Sequence, residues 1–463
     1  METPTLTLAP TEIPRARTTS DVVQRWSPTA IVVGLVVIGA LVSLLRVPWG
    51  DHDVVWAEDG NIFLDELLRS GPIQTVFTGY AGYQHLVPRL GTMLVVGLFP
   101  LDQFAIAVFT LCSILTGLVA AAVFWLSRDL VPWIWARIAL ALITILLPLS
   151  SQEVLGNLAD IHSYCMWLAP WLILYRPRTR LSGWLWAIPM LLCAMTEVQT
   201  LLFVALVPFR LRKHDRTGLP VVGALLLGGA IQIVTTLTHP RPSTAAWHGF
   251  ASIIEGWLIN TVLPLVFPDP VWEKSFLSAH GVLLPALIVI PFAVASIVAL
   301  ILGTNPQRLL VVTLLLASAA IYSAGATADG SPLFHYSMYT QAWWSGPGLV
   351  NSRYGVSSGM MLVATLPVAA SIVAVRAWRR PAVRVAAQVV AGLAVAGLTV
   401  TMAIAMTHGY SDRHVAGYAS WSESVRNAAE GCRNLPLSAT APLPVAPDRV
   451  LTLTCEEILS HTR

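Results

Sequence analysis

The chain reads TAIVVGLVVIGALVSLLRV at residues 29–47 and continues with PWGDHDVVWAEDG at residues 48–60. The first part is apolar and has about the 20 residues that a helix needs to cross the roughly 30 Å hydrocarbon core of a bilayer. The second part is polar and rich in acidic residues. The stretch therefore predicts a membrane helix that leads into a polar loop on one side of a membrane.

The composition extends this interpretation to the whole chain. Of 463 residues, 55% are hydrophobic and 11% are charged, whereas a soluble domain carries about 25% charged residues. We therefore expect an all-α polytopic membrane protein with about 11 transmembrane helices. The predicted spans are residues 29–47, 103–126, 131–149, 162–175, 182–196, 198–211, 218–238, 281–303, 308–326, 357–377 and 384–407.

The distribution of basic residues indicates which loops lie on each side of the membrane. Most of the 28 Lys and Arg residues, but few of the 25 Asp and Glu residues, fall on short segments on the side of the N-terminus. Short cytoplasmic loops of membrane proteins are enriched in Lys and Arg. We therefore predict a multi-pass protein of a bacterial inner membrane, with a cytoplasmic N-terminus and an extracytoplasmic C-terminus.

The same division sets the domain boundaries. Residues 1–28 are polar, lack the apolar core and cleavage site of a signal peptide, and are expected to form a disordered cytoplasmic tail. Residues 29–407 form the predicted transmembrane domain, and residues 408–463 form an extracytoplasmic segment. Cys432 and Cys455 both lie in that segment, where an oxidising compartment favours a disulfide over two free thiols.

The first outer loop, at about residues 48–102, contains two predicted interfacial helices. Residues 62–68 have helical spacing and precede Ser70-Gly71-Pro72, which we expect to end the helix. Residues 86–100 are apolar but are interrupted by Pro, Arg and Gly, and are too short to span comfortably.

Glu58 and Asp59 are the first candidates for chemistry. A carboxylate within hydrogen-bond reach of an attacking hydroxyl can act as a general base, and the second acid could position an acceptor or hold a cation. The alternative, which the spacing favours equally, is that Glu58 and Asp59 are solvated loop residues without a catalytic role.

Arg353 is a candidate for binding a lipid-borne phosphate. It is the basic residue of the outer loop at 327–356, and Arg binds phosphate through two parallel hydrogen bonds. A snorkelling side chain at a helix end is the alternative, and Arg89 and Arg241 lie on the same face. Trp344 offers an aromatic surface for a sugar ring, although belts of Trp are common at membrane interfaces.

No cofactor or metal site is predicted. The outer histidines lack metal-ligand spacing on one helix, and a divalent cation at Asp51, Asp53 or Asp59 has no further support. The chain has no Gly-rich phosphate motif, which argues against a nucleotide. The expected partners include the lipid bilayer and no nucleic acid.

Four short motifs in this arrangement resemble the GT-C superfamily of membrane glycosyltransferases. They are Trp56-Ala57-Glu58-Asp59-Gly60, Gly82-Tyr83-Gln84-His85 with Pro88-Arg89-Leu90, Asn157-Leu158-Ala159-Asp160-Ile161-His162, and Asn351-Ser352-Arg353-Tyr354. The resemblance implies transfer of a sugar from a polyprenyl-phosphate donor to a cell-envelope glycan or lipid-linked acceptor on the outer face. It also implies an inverting displacement assisted by a carboxylate of the first outer loop.

The resemblance further implies roles for individual residues. Asp59, or else Glu58, is the expected base, and Asp59 is preferred because Gly60 allows a tight turn that exposes it. Arg353 and Tyr354 are expected at the donor phosphate. The assisting cations are Arg89 or Arg241, and the residues expected to bind sugar or acceptor are Tyr83, Gln84, His85, Asp160, His162 and Trp344.

Two other functions stay open at this point. A transporter or flippase for a lipid-linked sugar is favoured by Glu197, which lies between two short spans. A non-enzymatic assembly protein is the third possibility. The sequence names neither the sugar nor the acceptor.

Overall fold

The computed structural model describes residues 28–462 except 212–215, 242–244, 346–349, 410 and 416. The predicted disordered tail at residues 1–28 lies outside the described residues apart from Pro28. The described chain is an almost entirely helical membrane protein with one two-stranded sheet. This confirms the all-α membrane class expected from the sequence.

The helices and strands have the following bounds in chain order. They are α1 Pro28–Leu45, α2 Asp65–Phe77, α3 Leu86–Leu98, α4 Phe104–Leu126, α5 Ile134–Leu146, α6 His162–Leu174, α7 Arg180–Ala194, α8 Val207–Leu211, α9 Leu219–Thr238, α10 Gly249–Trp257, α11 Pro270–His280, α12 Ala286–Leu302, α13 Asn305–Asp329, α14 Val356–Val375, α15 Pro381–Met406, α16 Asp412–Val415, α17 Trp421–Cys432, β1 Thr440–Val445, β2 Arg449–Thr454 and α18 Cys455–His461.

Six segments of the described chain are long and apolar enough to cross a membrane. They are Leu101–Asp129, Ile134–Ser151, Leu219–Thr238, Asn305–Asp329, Ser352–Val375 and Pro381–Met406. The other five predicted spans coincide with shorter helical segments, so the count of eleven is not confirmed. Helix α7, for example, has 15 residues and a length of about 22 Å, which is less than the roughly 30 Å core.

The bundle is organised around two buried helices. Nearly every residue of α6 and α14 is buried, which is typical of helices that are apolar on all sides. Helix α14 packs against α5, α12, α13 and α15, while α1 packs along α4 and α7 along α9. The interior of the bundle therefore fixes the position of the polar turn that precedes α6.

The first outer loop folds as helices that differ in detail from the prediction. A turn of π-helix at Asp59–Leu64 runs directly into α2. Gly71, at φ +75° and ψ 169°, is not helical, so the first helical segment ends there as expected, and a second helical segment continues across this kink to Phe77. Helix α3 has 13 residues, which at about 20 Å is too short to cross the bilayer core.

Residues 417–462, called the C-terminal lobe, cover the first outer loop. Strands β1 and β2 pair antiparallel, and a disulfide joins Cys432 to Cys455. Trp421 is fully buried, and its Nε1 donates to the carbonyl oxygen of Leu101 at 2.7 Å. The lobe shares a hydrophobic core with the loop, for example where Leu443 lies in one cluster with Leu64.

Residues 249–280 and 332–345, called the aromatic subdomain, form a second compact region. Helix α10 packs against α13, and α11 packs against residues 341–345. The interior contains Trp344, Tyr336 and Phe334, together with aliphatic side chains of α10 and α11. The subdomain therefore has a hydrophobic core of its own.

Candidate functional site: an acidic cluster above an apolar groove

Acidic and basic side chains from five separate segments meet between the first outer loop and the start of α6. We call this group the acidic cluster. It consists of Glu58, Asp59, Glu153, Asp160, His162, Glu197, Arg353 and Arg413. Asp160 is its centre, because its electrostatic neighbours are Glu153, His162, Arg353 and Glu58.

Asp59 is buried and uses both of its carboxylate oxygens. Oδ2 accepts from the backbone N–H of Leu158 and Oδ1 from that of Ala159, each at 2.8 Å. Burial raises the pKa of this carboxyl to about 7, although the two N–H groups and Arg413 oppose the shift. Asp59 therefore fastens the first outer loop to the turn before α6.

The turn expected at Gly60 is not what positions Asp59. Gly60 lies within a helical turn, and a Cβ there would come 2.7 Å from Val55 and 2.8 Å from Val445. Glycine is required by this close packing with the C-terminal lobe. The strained backbone is at Ala57, three residues before Gly60, where φ is +40°. The turn at Ala57 directs Asp59 inward instead of exposing it.

Glu58, unlike Asp59, is directed toward the C-terminal lobe and is partly exposed. Its carboxylate lies 3.5 Å from Nη1 of Arg449 in β2, and its side chain is 24% exposed. An exposed ion pair of this kind contributes little stability. Glu58 therefore keeps an open carboxylate near the cluster.

Asp160 is buried, with its side chain 11% exposed, and the neighbouring His162 side chain is 26% exposed. Oδ2 of Asp160 accepts from Nδ2 of Asn157 at 2.7 Å, whereas Oδ1 accepts no hydrogen bond from the residues that the structure describes and lies 3.9 Å from Nε2 of His162. Burial, and after it the charge of Glu153, raises the pKa of Asp160 to about 6. Asp160 thus offers one oxygen to a ligand and is mostly ionised at neutral pH.

Arg353 is held in place by hydrogen bonds on both sides. Nη1 donates to Glu153 at 2.7 Å, and Nη2 donates to the Tyr354 hydroxyl at 3.4 Å. Glu153 also accepts from Nε1 of Trp56 at 2.9 Å, and Tyr354 donates to Asp329. The Arg353 side chain is still 35% exposed, so the guanidinium can reach an anion.

The backbone beside Arg353 is fixed by a close approach. A Cβ on Gly355 would lie 1.8 Å from the carbonyl oxygen of Asn260. The Asn260 side chain also accepts from the backbone N–H of Asn351 at 2.8 Å. Only glycine at position 355 allows this packing, which anchors the Arg353–Tyr354 turn.

Glu197, Tyr83 and His85 close the other side of the cluster. Glu197 is buried, with one oxygen accepting from Gln199 N–H at 2.8 Å and the other 3.9 Å from His162 Nδ1. Burial raises the pKa of Glu197. His85 stacks on Tyr83 with ring centroids 4.0 Å apart, and burial lowers the pKa of His85 to about 3, so this ring is neutral.

The remaining predicted residues lie around the cluster. Gln84 is buried and donates from Nε2 to Thr235 in α9 at 3.1 Å. Arg89 is fully buried and pairs with Glu66. Arg241 is exposed and acts electrostatically on Glu197.

Trp344 is not part of the acidic cluster. It is 2% exposed in the core of the aromatic subdomain. Its ring is stacked with that of Tyr336, with centroids 6.2 Å apart. A sugar could reach the indole face only if the subdomain opened.

Arg413 belongs to the cluster but is not a residue that the sequence indicates. It lies in α16, and its guanidinium donates to the carbonyl oxygens of Leu155 at 3.0 Å and Gly156 at 3.1 Å. Its charge acts on Asp59, Glu153 and Asp160. One arginine in a short polar stretch after the last predicted span carries no sequence signal for such a contact.

An apolar groove of about 590 Å³ begins beside the cluster and runs into the helix bundle. Its walls come from α1, α3, α4, α6 and α7, with Val36, Leu118 and Leu168 among the lining residues. Ile161, between Asp160 and His162 in the chain, lines one end. We call this the central groove; its lining is mostly apolar, and Ile161 places it next to the charged groups.

Metal ligands are not grouped in this site. Among the described residues, no three His, Cys, Asp or Glu side chains are arranged to hold a metal ion. Arg353 and Arg413 offset part of the negative charge of the five carboxylates in the cluster.

Comparison with known proteins does not identify the chain. No family model matches the sequence, and no curated protein or solved structure matches it either.

Proposed function

We propose that this protein is an integral membrane glycosyltransferase that uses a polyprenyl-phosphate sugar as donor. The observation that supports this most is the position of the acidic cluster at the end of the central groove. A substrate that fits both has a long hydrocarbon chain joined to a polar, anionic head. A lipid-phosphate sugar has this chemistry.

The central groove accounts for the lipid part of the donor. It is bounded by helices of the bundle and its lining is almost entirely apolar. Pockets that bind apolar ligands bury most of the ligand surface among hydrophobic side chains. An isoprenoid chain in this groove would place its phosphate beside Ile161.

Arg353 is the proposed contact for the donor phosphate. Glu153 and Tyr354 fix the guanidinium from two sides, so little side-chain entropy is lost when an anion binds. The charge of Arg353 stabilises the phosphate as the bond to the sugar breaks. Arg241, which is exposed nearby, is the second candidate.

Asp160 is the proposed base, in place of Asp59. Both oxygens of Asp59 already accept backbone N–H groups, whereas Oδ1 of Asp160 is open. A catalytic base works best with a pKa near the working pH, and that of Asp160 is about 6. Glu58 is the alternative base, and Asp59 becomes a positioning residue.

The proposed reaction is a single displacement. The hydroxyl oxygen of the acceptor bonds to the anomeric carbon of the sugar while the bond from that carbon to the phosphate oxygen breaks. Asp160 takes the hydroxyl proton, and polyprenyl phosphate leaves with the electron pair. The sugar configuration is inverted because attack and departure occur on opposite faces.

A donor panel tests this proposal. The full chain in lipid nanodiscs would be incubated with radiolabelled polyprenyl-phosphate hexoses and pentoses, with nucleotide sugars as the comparison. Release of polyprenyl phosphate, to an acceptor or slowly to water, is the expected result. If every donor binds and none is cleaved, the proposal is wrong.

A flippase for a lipid-linked sugar is the second candidate. Glu197, buried beside His162, favours it, because buried ionisable pairs occur in proton-coupled transporters. Proteoliposomes with a fluorescent lipid-linked sugar separate the two functions. Movement of the label between leaflets without cleavage identifies a flippase.

A further inference from the structure

A second groove lies between α7 and α9, away from the acidic cluster. Its volume is about 600 Å³, and its walls are mostly apolar. We call it the arginine groove, because Arg180 and Arg216 are among its lining residues. The sugar-transfer proposal does not use this groove.

Each wall of the groove is one face of a helix. On α7 the lining residues include Trp184, Ile188 and Leu191, which recur at the spacing of successive helical turns. On α9 they include Gly223 and Leu227. The two faces enclose a slot that runs along the helices.

The length of the slot matches one leaflet of a bilayer. From Arg180 to Leu191 the chain rises about 16 Å at 1.5 Å per residue. Half of the hydrocarbon core is about 15 Å. An acyl chain that starts at the arginines would end near Leu191 and Leu227.

The charged end of the slot is arranged for an anion. Arg180 lies at the start of α7 and Arg216 just before α9, and both side chains are exposed. In the part of the chain that the structure describes, neither arginine has an acidic partner, and no lining residue is acidic. Trp184, one turn along from Arg180, is 64% exposed, as expected for a ring at headgroup level.

We propose that the arginine groove binds an anionic phospholipid. The phosphate lies between Arg180 and Arg216, and one acyl chain follows the slot toward Leu191 and Leu227. Arg forms charge-assisted hydrogen bonds with phosphate, and basic pockets between membrane helices bind anionic headgroups. Other occupants fit less well. A small anion would bind the arginines but leave the apolar walls of the groove uncovered, and an apolar helix would cover the walls but leave the charges of the two arginines unpaired.

Gly223 shows that the slot is open space. A Cβ at this position has no atom within 4 Å, although Gly223 lines the groove. A larger side chain there fills the groove without displacing protein atoms. Gly392 in α15 also has nothing within 4 Å and serves as a matched control on another helix.

The charge arm of the test compares lipids with the same acyl chains. Native mass spectrometry of the full chain would measure retention of phosphatidylglycerol against phosphatidylcholine. The wild type should prefer phosphatidylglycerol, and Arg180→Gln and Arg216→Gln should each reduce that preference roughly fivefold. Equal retention of the two lipids, or an undiminished preference in the double variant, overturns the proposal.

The shape arm separates a lipid from a free anion. Gly223→Leu should lower retention of both lipids, while Gly392→Leu should leave it unchanged. Inorganic phosphate and glycerol phosphate should not raise the melting temperature as phosphatidylglycerol does. If either small anion protects the wild type equally well, the arginines form an anion site and the lipid proposal is wrong.

Discussion

The acidic cluster and the aromatic subdomain contain similar residue types but use them differently. In the cluster, buried carboxylates have partners, as Asp59 has two backbone N–H groups. In the subdomain, Glu273 is 1% exposed, and among the described residues neither of its oxygens has a hydrogen-bond partner. Burial raises the pKa of Glu273 well above the usual range. In the core of the subdomain the rings of Tyr336 and Trp344 stack on each other and are buried, whereas Phe250 and Trp272 at its surface are exposed.

The difference assigns separate roles to the two regions. Under the proposed function, Oδ1 of Asp160 and the partly exposed guanidinium of Arg353 are the groups of the cluster that contact the substrate. The subdomain holds the Arg353–Tyr354 turn through Asn260 and supports Tyr354 by packing against Phe334. We therefore propose that the acidic cluster carries the chemistry and that the aromatic subdomain positions it.

The largest effect is expected from Asp160→Asn in the cluster. An amide cannot accept the proton, so turnover should fall by about 10²–10⁴-fold, the usual contribution of a general base. Donor binding should persist, as measured by retention of a labelled donor. Asp65→Asn, which alters a surface pair with Arg69, is the control, and equal turnover in both variants removes Asp160 from the mechanism.

Trp344→Ala tests whether the aromatic subdomain has a structural role and does not bind sugar. Removing a fully packed indole should lower the free energy of unfolding by about 3–5 kcal/mol, measured as a drop in melting temperature in detergent. The folded fraction should keep its KM for the acceptor. A raised KM with an unchanged melting temperature would show that Trp344 binds sugar after all; Trp272→Ala, at an exposed position, is the control.

Arg353 lies where the two regions meet, and Arg353→Gln should weaken donor binding. A hydrogen bond to a charged group contributes about 1.5–3 kcal/mol, so the KM for the donor should rise at least about tenfold. Arg353→Lys should restore part of the loss, since it keeps the charge. Arg241→Gln should have the smaller effect, and the reverse ranking would assign the phosphate to Arg241.

The smallest effect concerns pH and stability. Burial raises the folded-state pKa of Asp59 to about 7, so between about pH 4 and 7 the folded chain keeps a proton that the unfolded chain releases. The stability from this group is complete below its unfolded pKa and is lost as pH rises through 7, by at most about 1.4 kcal/mol per pH unit.

The measurement compares the wild type with Asp59→Asn, because buried histidines such as His85 act in the opposite direction. The difference in melting temperature between the two proteins should change from pH 5 to pH 8 in the direction of relative destabilisation of the wild type. A difference that is constant with pH would show that Asp59 does not titrate in this range. Glu273→Gln gives the same comparison for the aromatic subdomain.

The sequence predicts helices well and contacts poorly. Apolar runs located α4, α9 and α14 within a few residues, because hydrophobic length is a local property. Whether a short helix such as α7 crosses the bilayer depends on its neighbours, which is why the count of eleven spans is not confirmed.

The site depends on contacts that the sequence does not show. Asp59 binds Leu158 and Ala159, which lie about a hundred positions further along the chain, and Arg413 reaches the same loop from the C-terminal segment. The motifs singled out Asp160 and His162, which lie beside the first outer loop in the structure, and their role in binding sugar or acceptor stays a prediction. They did not show that Trp344 is enclosed by Tyr336, because burial of a ring depends on the folded subdomain.

The central claim is that the acidic cluster and the central groove form one site for a lipid-phosphate sugar. Photo-crosslinking tests it most directly, with a polyprenyl-phosphate sugar that carries a diazirine in its lipid tail. The label should appear on peptides of α4 and α6 that line the groove, around Leu118 and Leu168, and excess unlabelled donor should suppress it. Labelling confined to lipid-exposed helices such as α15, and not suppressed by excess donor, would contradict the account.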